Sequence, residues 1–151
     1  MSRSTLIVAA ILGSGLAAPP NISARAQADD FAFRLTVTSC PTYTVDTFDG
    51  SWSRRGMGDA VAPVSIPVAL REEERNRIRD KVQAIKFFEY PGLYKVDLGN
   101  LQGSVVTVQP AARFVLRIRL GGREHQVAYS SEITSPRPPE YVGLLELTQL
   151  I

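Results

Sequence analysis

Two stretches of this chain alternate large apolar residues with polar or small ones so regularly that only extended strands accommodate them. In the first, Phe31, Phe33, Leu35 and Val37 fall on one side and Ala32, Arg34, Thr36 and Thr38 on the other. In the second, Phe114, Leu116, Ile118 and Leu120 oppose Arg113, Arg117 and Arg119. A period of two marks a strand with one face buried and one in water. Each stretch also leads into a two-residue hairpin signal, Asp49-Gly50 and Gly121-Gly122.

These turns set expected registers. Around Gly121-Gly122, Arg119 faces Glu124, Ile118 faces His125, Leu116 faces Val127 and Phe114 faces Tyr129. A slip of one residue would reverse every face, so agreement between the charged and the apolar pairs supports this register. Around Asp49-Gly50, Thr47 is expected opposite Trp52 and Val45 opposite Arg54, with Tyr43, Val45 and Trp52 on one face and an Asp46 to Arg55 ion pair on the other. Cys40-Pro41 interrupts the meander between Val37 and Tyr43, because Pro41 has no amide hydrogen for a ladder.

Between the hairpins, Leu70 to Lys86 reads as a helix. Ile78, Val82 and Ile85 recur at helical spacing, with Phe88 or Glu89 next on the stripe. Glu72, Glu73 and Glu74 suit the positive end of the helix dipole, although no Ser, Thr, Asn or Asp stands at the cap position. Val64 to Ile66 and Val105 to Val108 read as short strands, Ser130 to Pro139 as a proline-rich loop, and Glu140 to Ile151 as a short helix with Tyr141, Leu144 and Leu145 inward. The expected fold class is therefore α+β: an antiparallel sheet built from two hairpin or meander units, with two helices packed on one face.

With 151 residues the chain has room for one domain with a real core. Met1 to Ala28 reads as a secretory signal peptide: Arg3 is the basic start, Leu6 to Leu12 the apolar run and Ala26-Gln27-Ala28 the small-x-small cleavage site. A single α+β domain, residues 29–151, remains. Composition matters here because the whole chain has 17 basic and 15 acidic residues, and cleavage removes Arg3 and Arg25 but no acid. The mature chain is then neutral, which takes away the basic excess a nucleic-acid binder needs. The apolar run is also shorter than the roughly 20 residues of a spanning helix, so no membrane span is expected after cleavage.

Chemistry-bearing residues are few. Zinc-binding His pairs, phosphate-cradling glycine loops and serine elbows are absent from the sequence, and neither a metal site nor a cofactor is expected. Cys40 is the sole cysteine, so an internal disulfide is impossible; a free thiol at a strand end is more often buried than reactive. His125, the sole histidine, has the right ordinary pKa for proton transfer but falls opposite Ile118 on an apolar face. Arg54 and Arg55, beside Trp52, form a candidate anion or ligand site, with Arg54 expected to stack on Trp52. Cys40 and His125 are the alternative reactive residues. The Arg113, Arg117 and Arg119 row reads as a solvated face.

Cys40-Pro41-Thr42-Tyr43-Thr44-Val45, Asp49-Gly50, Phe87-Phe88 and Ile118-Arg119-Leu120-Gly121-Gly122-Arg123 together resemble a family of uncharacterised exported bacterial domains with a Cys-Pro-x-Tyr strand signature. The resemblance covers most of the mature chain and implies an exported domain without an established activity. Members often carry a second cysteine just before the signature; here Thr36-Val37-Thr38-Ser39 stands in that place, which removes a local disulfide.

The expectation is an exported, non-enzymatic domain that binds an envelope or secreted protein. Two alternatives belong to other classes: a thiol or acid/base enzyme using Cys40 or His125, and an inhibitor of a secreted hydrolase acting through the loop from Met57 to Pro63.

Overall fold

A computed structural model describes residues 30–39, 41–56, 62, 64–97 and 104–151. The stretch expected to be a signal peptide, Met1 to Ala28, together with Cys40 and, apart from Ala62, the loop from Met57 to Pro63, lies outside the described residues. The elements in order are β1 (Ala32–Thr38), β2 (Thr42–Asp46), β3 (Ser51–Arg55), β4 (Val64–Pro67), α1 (Glu72–Ala84), a 3-10 turn (Phe87–Glu89), β5 (Val106–Thr107), β6 (Arg113–Leu120), β7 (Arg123–Ser130), β8 (Ile133–Ser135) and α2 (Pro139–Leu150).

The two sequence units form one six-stranded antiparallel sheet in the order β4-β3-β2-β1-β6-β7, while β5 and β8 make a small second sheet. The seam is β1 against β6, where Phe33 meets Ile118, Leu35 meets Leu116 and Val37 meets Phe114. Both alternating runs thus aim their apolar sides the same way. Phe33, Leu35, Leu116, Ile118, Val127 and Tyr129 form one core with Ile78 and Val82 of α1, Phe87, and Leu144 and Leu147 of α2. The architecture is α+β, with both helices on one face of the sheet.

The β6–β7 register is the expected one, pair for pair. The β2–β3 register is displaced by two residues: Val45 faces Trp52, and Tyr43 faces Arg54. The turn is widened because Thr47 is already committed to β1. Its amide donates to the Phe33 carbonyl at 2.8 Å, and its hydroxyl accepts the Phe33 amide at 2.7 Å. Asp46 Oδ1 likewise accepts the Phe48 amide at 2.9 Å. A shift of two keeps every face but changes every partner. The expected Asp46 to Arg55 ion pair is accordingly not formed; buried Asp46 pairs with Arg34 of β1.

Helix α1 begins at Glu72 because Arg71 is extended, with φ −66° and ψ 153°. Its end is capped without a Ser, Thr, Asn or Asp: Glu74 accepts the Arg71 amide at 3.0 Å and two bonds from its guanidinium. At the other end Lys86 adopts a left-handed conformation, φ 54°. That reversal turns Phe87, with 0% exposure, into the core in place of Phe88 or Glu89. The expected loop from Ser130 to Pro139 contains β8, which pairs with β5 and is further held by Thr134 Oγ1 donating to the Val106 carbonyl at 2.8 Å. In α2 the buried set is Tyr141, Gly143, Leu144 and Leu147, with Leu145 only partly buried.

Each sheet edge is blunted by a different device. Along β7, Gly92 and Tyr94 bond the Ala128 amide and carbonyl at 2.8 and 2.9 Å. Along β4, the Val68 amide bonds the Gly50 carbonyl at 2.8 Å, which sets the ladder phase so that Val64 and Ile66 bond β3. The backbone of Ser65 and Pro67 turns outward, and Pro67 has no hydrogen to offer.

Candidate functional site

Alternation along β3 sends Trp52 and Arg54 to the helix-facing side of the sheet and Ser51, Ser53 and Arg55 to the other. Tyr43 and Val45 join the first pair from β2, and Val64 and Ile66 join from β4. This face continues the core surface beyond the reach of the helices. Val64 is 53% exposed and Ile66 50%, although both belong to the apolar side of the strand. Tyr43 and Trp52 lie ring to ring at 6.1 Å between centroids, both half-buried.

Arg54 lies over Tyr43, 6.0 Å from the ring centroid, and not on Trp52 as expected. The two-residue displacement is the reason, since it places Arg54 directly opposite Tyr43. The sequence-predicted set therefore divides. Trp52 and Arg54 share the apolar face, and Arg55 projects from the opposite one. Among the described residues neither Arg54 nor Arg55 has a carboxylate within ion-pair distance.

His125 is placed on β7, four strand positions from β3, or roughly 19 Å at the usual strand spacing. Its half-buried ring packs edge-on against Phe87 at 5.8 Å, and its Nε2–H donates to the Tyr90 carbonyl at 2.7 Å. Since a carbonyl only accepts, that bond requires a hydrogen on Nε2. Neighbouring Tyr90 donates its hydroxyl to the Glu140 carbonyl at 2.9 Å, and partial burial pushes its phenol up to about 12. Cys40 lies outside the described residues. Among those described, no three His, Cys, Asp or Glu side chains gather into a group that would hold a metal ion.

The arginine row on the outer face is largely occupied. Arg117 pairs with Glu124 at 2.6 Å, Arg119 Nε lies 3.2 Å from Asp30 Oδ1 without hydrogen-bond alignment, and Phe48 sits between the two guanidinium groups at 5.1 and 5.0 Å. Sequence reasoning did not single out Tyr43, Val64 and Ile66 as site residues. The signal for the last two was present, in the alternation of Val64 and Ile66 just inside Pro63 and Pro67.

Fold and face together define a small α+β domain whose sheet exposes Val64 and Ile66 next to half-buried Tyr43 and Trp52, beside an arginine that has no carboxylate partner among the described residues. No protein-family model matches the chain and no curated protein matches it, so the functional reading rests on this surface. No helix among the described residues is long and apolar enough to cross a membrane.

Proposed function

We propose that this protein is an exported, non-enzymatic binding domain whose β2–β3–β4 face receives a protein of the envelope or the secreted fraction. The observation that carries the reading is the strip of exposed Val64 and Ile66 with half-buried Trp52 beside Arg54. A contiguous apolar surface with an aromatic anchor and a lone cation is the composition of an interface centre. Its complement is a segment presenting apolar side chains and a carboxylate. The segment lies across the sheet face, because Pro67 on the free edge disfavours addition of a strand.

Export is supported by the leader pattern of Met1 to Ala28 and by the resemblance to exported bacterial domains. Asp30, two residues past the proposed cleavage site, accepts the Gly122 amide and lies against Arg119, which is compatible with a folded domain that begins close to that site.

The test is affinity capture from envelope extract on the immobilised purified protein, repeated with Trp52→Ala, Arg54→Glu and Arg55→Ala. One captured protein should be retained by the parent and by Arg55→Ala, and lost with the other two at a cost of about 2 kcal/mol or more each. Nothing reproducibly captured, or capture indifferent to Trp52 and Arg54, would overturn the reading.

A further inference from the structure

The strand registers give the β2–β3–β4 face a definite grid. Tyr43, Arg54 and Val64 stand opposite one another in one row, and Val45, Trp52 and Ile66 in the next. Neighbours within a row are about 4.8 Å apart, and the two rows are about 7 Å apart along the strands. Exposure rises toward the edge: Val45 packs against the core, Tyr43 and Trp52 are half-buried, and Val64 and Ile66 are exposed. The apolar ledge beyond the core is therefore narrow, two strands wide and two rows long. We infer that its partner presents an amphipathic α-helix laid along β4, with aliphatic side chains on Val64 and Ile66 and a carboxylate against Arg54. This inference rests on the reading of the face as a binding surface and names the form of what binds there.

Edge, dimensions and charge each favour a helix. At the edge, Ser65 turns its amide outward, and at the next outward position Pro67 has none. A partner strand would find one donor where a ladder needs several. In dimensions, a helix is about 10 Å across with its side chains, which suits a ledge two strands wide. Its residues at i and i+4 rise by about 6 Å, close to the spacing of Val64 and Ile66 along β4. A second sheet packed face to face would need a broader apolar surface than these two rows supply.

The charge sets what the helix carries. Arg54 is exposed and has no carboxylate within ion-pair distance among the described residues. It stands directly opposite Val64, so a carboxylate one helical turn from the side chain that covers Val64 reaches it. The domain itself covers the neighbouring part of this face in the same manner, with α1 and α2 packed on the strands of the core.

The experiment is an amide NMR titration of the purified protein with synthetic peptides of about 15 residues. The probe is an alanine-rich helix with leucines at i, i+4 and i+7 and one glutamate at i+3. One control has lysine in place of the glutamate, and another has the same residues reordered so that the leucines alternate as in a strand. The glutamate helix should give saturable shifts centred on residues 43–45, 52–54 and 64–66, and the lysine helix should bind about fivefold more weakly. Arg54→Glu should reverse that preference, which a damaged fold would not do, and Ile66→Lys should weaken both helices by about tenfold or more. An alternating peptide that binds as tightly as the helix, equal affinity for the glutamate and lysine helices, or no saturable shifts on this face would each overturn the inference. Capture from envelope extract reads the face whatever form its partner takes. A captured protein that needs Trp52 and Arg54 would therefore leave the binding reading standing where the helix had failed.

Discussion

Asp46 of β2 is buried against Arg34 of β1, and the same carboxylate accepts the Phe48 amide that closes the widened turn. One side chain therefore ties the first two strands together and decides where the meander turns.

Removing that carboxylate should be expensive. Asp46→Ala is expected to cost about 2–3 kcal/mol, because two hydrogen bonds to a charged group are lost and Arg34 is left without its partner. Arg55→Ala, at the position the sequence pairs with Asp46, should stay within about 0.5 kcal/mol of the parent. Urea unfolding of the two variants separates the observed partner from the expected one.

Gly143 of α2 lies against Ile85 at the end of α1. A Cβ built there would lie 2.9 Å from Ile85 Cγ2. Gly143→Ala should destabilise the fold by about 1 kcal/mol, the overpacking strain exceeding the gain in helix propensity. In an Ile85→Ala background the same change should be neutral or stabilising, and a double-mutant cycle reads the coupling.

Pro67 is expected to keep the protein from pairing with itself. Pro67→Val returns an outward amide to β4 and lengthens a strand already bearing exposed Val64 and Ile66. Sedimentation at rising concentration should show self-association in the variant and little in the parent. A variant that stays monomeric would remove this role from Pro67.

Alkaline pH should loosen the core through Tyr129. Burial pushes its phenol from 10.0 up to about 12, partly offset by its hydrogen bond with Thr148. Between those values the unfolded chain has released a proton that the folded state still holds. Stability should be full below about pH 10 and decline as pH rises through about 12. Tyr129→Phe should lessen that decline, with Tyr90 supplying part of what remains, at a cost of about 1 kcal/mol at neutral pH for the lost hydroxyl contacts. Urea midpoints across this pH window provide the measurement.

Much of the fold was legible because its signals are local. The strand runs, the Gly121-Gly122 hairpin with its full register and the α1 stripe of Ile78 and Val82 follow from periodicity within a dozen residues. Strand β5 was read within Val105 to Val108, but its partner β8 was not, since three residues inside a proline-rich stretch carry no period and the strand is defined by its pairing with β5. The candidate face was legible in Trp52 and Arg54, but not in what surrounds them.

The sequence by itself determined which residues of each strand share a face, because alternation is a property of the extended backbone and survives a shift of two. It also determined that two helices were available to cover an apolar sheet. The tertiary structure alone decided who meets whom. Thr47 and Asp46 are claimed by Phe33 and Arg34 in β1, and that competition displaces Trp52 from Thr47 to Val45 and brings Arg54 over Tyr43. It also decided where the helices stop covering the sheet. Val64 and Ile66 have the pattern of core residues, and the finite reach of α1 and α2 leaves them facing water beside a half-buried Trp52.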